Sequence, residues 1–302
     1  MTDNEYLAQA RRGRNKFWIY LLTITALVVT SVVVTVILML GAYLVEHTLN
    51  PNDYSLPTLL LVTMLPFPAM LLVLLGAQRF LHGRPIRTLI TPARRINWGL
   101  VLLSGAVWFA LAGLGDLVLS ALQPGNYTWT FDANRFWKFA LLSLILVPIQ
   151  TSTEELIFRG YMTQGLGLLT RRFWLPWLLP SIVFGLLHSA NPEVGLYGFL
   201  WTMPSYVGVG LLLGWITLKS ERLEPALGLH AANNLYASWM VTFAGSSLPV
   251  PTLFTIQKYD PAVGLLLFAV SVAGFLVMYY LLPAFRRKSA PESVTGGHPD
   301  EN

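Results

Sequence analysis

The sequence predicts an all-α, polytopic membrane protein with about eight transmembrane helices and both termini in the cytoplasm. Three observations lead there. First, 54% of the 302 residues are hydrophobic. Second, only 12% are charged, about half the roughly 25% of a soluble globular chain. Third, eight apolar stretches approach or exceed the roughly 20 residues needed to cross a bilayer. The same composition argues against intrinsic disorder, which requires low hydrophobicity, and against a soluble multidomain enzyme.

The expected spans run over 17–45, 56–78, 96–122, 136–168, 173–189, 194–218, 225–244 and 261–285. The first has an apolar run too long for a cleavable signal peptide. The chain divides into a cytoplasmic segment 1–16, helices one to three over 17–135, a core over 136–244, a last loop and helix over 245–285, and a tail over 286–302. The tail after Lys288 reads as disordered. Orientation follows from the basic residues. With these spans, only Arg135, Lys138 and Lys258 of the 20 Lys and Arg residues fall on one side; the rest fall on the other, which the positive-inside rule makes cytoplasmic. A net charge of +5 therefore reports basic cytoplasmic loops, and no nucleic-acid partner is expected. There is no cysteine, hence no disulfide, thiolate nucleophile or Cys-ligated metal.

Most acidic residues sit in loops or tails. Asp116, Glu154 and Glu155 are the exceptions, and ionisable groups at membrane depth are functional candidates because their burial is expensive. In Thr153-Glu154-Glu155-Leu156-Ile157-Phe158-Arg159-Gly160, Glu155 and Arg159 are four apart on one helix face, so each neutralises the other. Glu154 points about 100° away and has Phe158 at its i+4 position, which leaves it available for chemistry. The alternative is that both glutamates anchor a cytoplasmic helix end. Two further polar pairs lie in apolar runs: Phe184 one turn before His188, and His230 one turn before Asn234. Glutamate, two histidines and an amide form a set for activating water and stabilising an oxyanion. The same Glu and His residues suit a divalent metal that acidifies water; the residues leave both mechanisms open. Gln150-Thr-Ser-Thr153 either lines a cavity beside Glu154 or bonds its own helix. Gly208, Gly210 and Gly214 suggest close helix packing.

In this order, Glu154-Glu155-x-x-x-Arg159, Phe184-x-x-x-His188 and His230-x-x-x-Asn234 resemble the three motifs of the CAAX-protease and bacteriocin-processing (CPBP, or Abi) family of intramembrane proteases, which includes the type II CAAX prenyl endopeptidases. The resemblance covers about 136–244. It implies hydrolysis of a peptide bond in or near the membrane, with Glu154 and His188 activating water, His230 and Asn234 stabilising the oxyanion, and Glu155 and Arg159 holding the site together. It also implies either a metal-free glutamate protease or a metalloprotease with a divalent ion such as zinc on Glu154, His188 and His230. The implied partners are membrane lipid and a protein or peptide substrate, and the implied setting is the bacterial plasma membrane, where a prenylated substrate is not expected. Substrate, cleavage sequence and oligomeric state are not legible.

Other intramembrane proteases fit less well. HExxH is absent, and Gly245-Ser-Ser-Leu is not a rhomboid GxSG. Gly113-Leu-Gly-Asp116 matches the presenilin GxGD, yet the Tyr-Asp pair is downstream, at Tyr259-Asp260; Asp116 is expected near the outer end of span three. A proton-coupled transporter, or a non-catalytic immunity or scaffold protein, would also use intramembrane Glu and His. Depth sets one further expectation. If span five were a plain 173–189 helix, His188 would lie far from His230. The segment Arg171–Leu179 is therefore expected along the interface, with the transmembrane helix starting near Pro180 and an irregular break over Ser189–Glu193 lining a polar cavity.

Overall fold

A computed structural model describes residues 4–170 and 172–287; Arg171, Lys288 and the tail expected to be disordered lie outside the described residues. The protein is all-α apart from three short strands. A short helix α1 (Glu5–Ala8) precedes α2 (Phe17–Glu46), which is followed by α3 (Leu56–Met64) and α4 (Pro66–Gly76). After α4 a π-turn (Ala77–Leu81) leads to α5 (Trp98–Leu122), strand β1 (Tyr127–Trp129) and α6 (Ala133–Glu155). A second π-turn, Leu156–Met162, joins α6 to α7 (Thr163–Leu169). Then come α8 (Trp174–Leu187), α9 (Pro192–Tyr197), α10 (Phe199–Ser220), α11 (Glu224–Trp239), β2 (Val241–Phe243), β3 (Phe254–Ile256), α12 (Pro261–Leu281) and α13 (Pro283–Arg286).

Six of these units are long and apolar enough to cross a membrane: 17–46, 56–81, 98–122, 133–169, 199–220 and 261–281. All eight expected segments are helical, but the two others are short. At 1.5 Å per residue, α8 spans about 21 Å and α11 about 24 Å, less than the roughly 30 Å of hydrocarbon. Their brevity is why a count of eight full spans does not follow from length. Helix starts are set by local chemistry. Asn97 accepts from Leu100 N–H, Asp132 from the N–H groups of Asn134 and Arg135, and Asp260 from Ala262 N–H just before Pro261. These are the orphan donors that N-cap side chains satisfy.

Burial distinguishes centre from periphery. In 17–46 only 11% of the most apolar window is buried, against 56% in 133–169. Thus α2 presents its apolar side chains outward, as a lipid-facing helix does, and α6–α7 forms the axis on which α8, α10 and α11 pack. Close approach is enforced by glycine. A Cβ on Gly228 of α11 would lie 1.9 Å from the Val101 carbonyl of α5, and one on Gly210 of α10 would lie 2.7 Å from the Ser181 carbonyl of α8.

The loops segregate. Residues 4–16, 82–97, 220–223 and 282–287 gather at one end, tied by bonds such as Arg14 N–H to His82 O and Leu223 N–H to Ile90 O. This is the end rich in Arg and Lys. At the opposite end the three strands form one small sheet, ordered β1-β3-β2, with β1–β3 antiparallel and β2–β3 parallel. Strands of three residues carry no detectable periodicity, so the sheet leaves no mark in the sequence. The basic end is more than a lipid contact. Arg84 is 1% exposed and donates to Gln164 at 2.5 Å. The Tyr6 hydroxyl donates to the carbonyls of Leu89 and Arg159.

His82 lies in the same layer. Its Nδ1 faces the Arg14 carbonyl at 2.7 Å and its Nε2 faces the Tyr161 hydroxyl at 2.8 Å. The carbonyl can only accept, so Nδ1 carries the proton and Nε2 accepts from Tyr161. Burial pushes the His82 pKa down, and the nearby Arg84 and Arg14 push it further. Below about pH 6.5 the unfolded chain therefore binds a proton at this position that the folded chain refuses, and stability falls as pH falls. The melting temperature in detergent is expected to drop between pH 7 and pH 5 by more in the wild type than in His82→Gln; equal drops would show that His82 is not a source of acid sensitivity.

Candidate active site

The site forms around the π-turn of the central helix. Glu154 and Glu155 are the last residues of α6, and Arg159 lies within the turn. Such wide turns recur at functional sites. Arg159 and Glu155 are both fully buried and form the expected pair, Nη1 to Oε1 at 2.7 Å. The second guanidinium nitrogen, Nη2, donates to the Gly210 carbonyl at 3.1 Å. Ser181 donates to the same carbonyl, so the close α8–α10 packing at Gly210 presents an acceptor to Arg159. The guanidinium carbon also lies 4.3 Å from the centre of the Phe184 ring, a cation–π contact in a water-poor setting.

His230 joins the two glutamates. Its Nδ1 lies 2.8 Å from Glu155 Oε1, and its Nε2 is 3.6 Å from Glu154 Oε2. Glu155 thus receives Arg159 and His230 on a single oxygen, and its charge is consumed structurally. Glu154 is different: it is 8% exposed and lines a cavity of about 420 Å³. The expected division between a neutralised and an available carboxylate is the arrangement found.

The amides have an arrangement that spacing alone does not reveal. Trp108 Nε1 donates to Asn233 Oδ1, Asn233 Nδ2 to Asn234 Oδ1, Asn234 Nδ2 to Gln150 Oε1, and Gln150 Nε2 to Glu154 Oε2 at 2.6 Å. An indole nitrogen can only donate. It therefore fixes the orientation of every amide after it, and the chain arrives at Glu154 with a donor. Asn234 consequently acts on Glu154 through Gln150 as well as lining the cavity. Of the polar run 150–153, Gln150 lines the cavity, while Thr151 and Thr153 bond back to the carbonyls of Val147 and Ile149.

His188 caps the end of α8. Its Nδ1 faces the Phe184 carbonyl at 2.8 Å, which places the proton there and leaves Nε2 as the acceptor of a neutral ring. Its ring packs on Phe184 at 4.6 Å, and His230 packs on Phe184 at 5.7 Å. The two imidazoles therefore flank one phenyl ring, which explains the value of an aromatic one turn before the histidine.

The expectation for span five is corrected here. Helix α8 is continuous from Trp174 to Leu187 with Pro180 inside it, and there is no separate interfacial segment over the described part of 171–179. Pro176 O accepts from Thr163 and Trp177 Nε1 donates to Leu211 O, so the start of α8 is already part of the bundle. The site assembles because Phe184, not His188, packs against His230; His188 lies one turn further along and reaches the same cavity. The expected break is present as a turn through His188–Asn191, after which Pro192 opens α9.

The cavity lining extends beyond the expected site residues and includes Tyr206, Asn233 and Glu193. Glu193 ends the Ser189–Glu193 break that is expected to line a polar cavity, and it is buried and lines the cavity. The neighbouring Asn191-Pro192 was the available signal of a backbone break there. Asp116 is accounted for structurally, since it accepts from the Tyr127 and Tyr236 hydroxyls at 2.7 Å each and ties the sheet to α11. Among the described residues, no three His, Asp or Glu side chains are grouped so as to hold a metal ion. The set Glu154, His188 and His230 borders one cavity without forming such a group.

Residues 133–236 match the family described as "Type II CAAX prenyl endopeptidase Rce1-like", in agreement with the resemblance carried by the three motifs. The chain is also 37% identical over 187 residues to an uncharacterised protein, YyaK, of Bacillus subtilis (strain 168). That similarity covers 61% of this chain and 62% of the relative. No solved structure matches.

The buried pair makes a specific demand on stability. Removing one partner leaves an uncompensated charge and costs about 3–5 kcal/mol. Arg159→Met is therefore expected to melt well below the wild type. The double variant Glu155→Gln/Arg159→Met should recover much of the loss, since the pair is then neutral and the Gln oxygen still accepts from His230. A double variant no more stable than Arg159→Met would contradict this reading.

Proposed function

We propose that this integral membrane protein is an intramembrane endopeptidase of the type II CAAX, or CPBP, kind, in which Glu154 activates the attacking water. The observation that carries the proposal is the asymmetry of the two adjacent glutamates: Glu155 is locked by Arg159 and His230, whereas Glu154 borders the cavity with a single amide donor fixed on it.

The chemistry follows from the side chains present. A water beside Glu154 loses a proton to the carboxylate as its oxygen attacks the scissile carbonyl carbon. Glu154 and His188 border the same cavity and are the two bases available to it, so between them they hold that proton and return it to the leaving amine. The negative charge that develops on the carbonyl oxygen is stabilised by N–H donors on the cavity wall, the Asn234 amide and, when its ring carries both protons, His230 through Nε2, since the Nδ1 proton is given to Glu155. Glu155 keeps His230 oriented through Nδ1, as a carboxylate behind a catalytic imidazole does. Water activation is assigned to Glu154 and His188 without a metal, since no three His, Asp or Glu side chains are grouped for one among the described residues.

Access follows from the cavity walls. Phe243, Ser246, Ser247 and Leu248 belong to the connection after α11, at the end of the bundle poor in basic residues, and they line the cavity together with Glu154. A substrate is proposed to enter from that end, which the positive-inside rule assigns to the outside of a bacterial plasma membrane.

The test uses purified protein in detergent and a quenched peptide library. Cleavage is expected in the wild type and is expected to fall by about 10²–10⁴-fold in Glu154→Ala and His188→Ala, the range for loss of acid–base groups. A strong chelator is expected to leave the wild-type rate unchanged. Cleavage that persists in both variants would refute the assignment. Flux of protons or solute through reconstituted protein, abolished by the same substitutions, would support a transporter instead.

A further inference from the structure

The cavity has a second acidic wall. Glu193 on α9 is 8% exposed and borders the same cavity as Glu154, His188 and His230. Its Oε1 accepts a hydrogen bond from the Tyr206 hydroxyl. That hydroxyl in turn accepts from Asn191 Nδ2 at 2.8 Å. An amide N–H can only donate, so the Tyr206 proton is directed at Glu193, and Glu193 is held as an acceptor. The Tyr206 ring stacks on His188, with centroids 4.6 Å apart and planes at 24°. Glu193 is therefore one aromatic ring away from His188.

Its other oxygen, Oε2, is buried and has no hydrogen-bond partner among the described residues. Leaving a buried carboxylate oxygen unpartnered is expensive. The lining of the cavity does not repay that cost. It contains two carboxylates, Glu154 and Glu193, and no Lys or Arg, while Arg159 is taken up by Glu155 behind the wall. A low-dielectric cleft lined by one sign of charge concentrates the opposite sign.

We propose that Glu193 is a substrate-binding residue whose carboxylate, with one oxygen held by Tyr206 and the other without a partner, receives a positively charged group of the peptide. Building on the endopeptidase reading above, this makes the substrate class cationic: a peptide carrying an ammonium or guanidinium within a residue or two of the scissile bond. The shared chemistry is a hydrogen-bonding cation, and it has two sources, a Lys or Arg side chain or a free N-terminal amine. Tyr206 couples this subsite to the reaction by holding Glu193 with its hydroxyl and His188 with its ring.

The experiment uses full-length protein in detergent and quenched peptides that differ at one position near the cleaved bond, Lys, Arg, Gln, norleucine or Glu. Each is made with a free and with an acetylated N-terminus. Wild-type kcat/KM is expected to be about tenfold or more higher for the cationic peptides, as befits a hydrogen bond between charged groups, with the difference mainly in KM. A preference that follows Lys and Arg identifies the side chain as the source; one lost on acetylation identifies the N-terminus. Glu193→Gln retains an oxygen to accept from Tyr206, and it is expected to collapse the cationic-to-neutral ratio towards one. Glu193→Lys is expected to turn the preference towards the Glu peptide. Equal cleavage of cationic and neutral peptides by the wild type, or a ratio unchanged in Glu193→Gln, would overturn the proposal while leaving the endopeptidase reading intact. Cleavage of no peptide of either charge would overturn both.

Discussion

A guanidinium with no route to water lies at the centre of this bundle, and one carboxylate holds it there. Arg159 and Glu155 are both wholly buried, and neither charge would be tolerable at that depth alone. The pair shapes its surroundings. Gly210 admits the close helix contact that places a carbonyl on Arg159. Phe184 turns its face to the guanidinium, and both histidines pack on the same ring. Four helices are thereby registered against one another by a single buried charge.

That register divides the work between two adjacent and chemically identical residues. Glu155 faces Arg159 and His230, whereas Glu154, a third of a turn away, faces the cavity. The difference is one of position on the helix and owes nothing to residue type. The donor chain from Trp108 through Asn233, Asn234 and Gln150 reinforces it, because an indole at its head allows only one amide orientation along its length. The polar groups at depth thus form two connected sets, one that stabilises the fold and one that ends on the residue assigned to chemistry.

Much of this was legible in the sequence, and the reasons differ by feature. The i,i+4 spacing of Glu155 and Arg159, and the lack of a basic residue four after Glu154, are readable because helix geometry is fixed locally. The membrane spans are readable because lipid penalises exposed polarity. What was not legible depends on contacts across helices. The depth of α8 could not be read from its length, since its start is set by Thr163 and Leu211 of other helices. The π-turn that carries Arg159 leaves no mark in residue type. The break ending at Glu193 is readable from Asn191-Pro192, but the hold of Tyr206 on its carboxylate is not, because Tyr206 lies on another helix. The short sheet escaped for the same reason, its three strands coming from two distant connections.

The central claim is that Glu155 serves the fold and Glu154 serves the reaction. It is tested most directly by measuring thermal melting and peptide cleavage side by side in Glu154→Gln and Glu155→Gln. The account predicts that Glu154→Gln melts close to the wild type and cleaves about 10²–10⁴-fold more slowly, and that Glu155→Gln melts substantially lower because Arg159 is left without its carboxylate. The reverse pattern, a cleaving Glu154→Gln that has lost stability beside a Glu155→Gln that melts like the wild type, would contradict it.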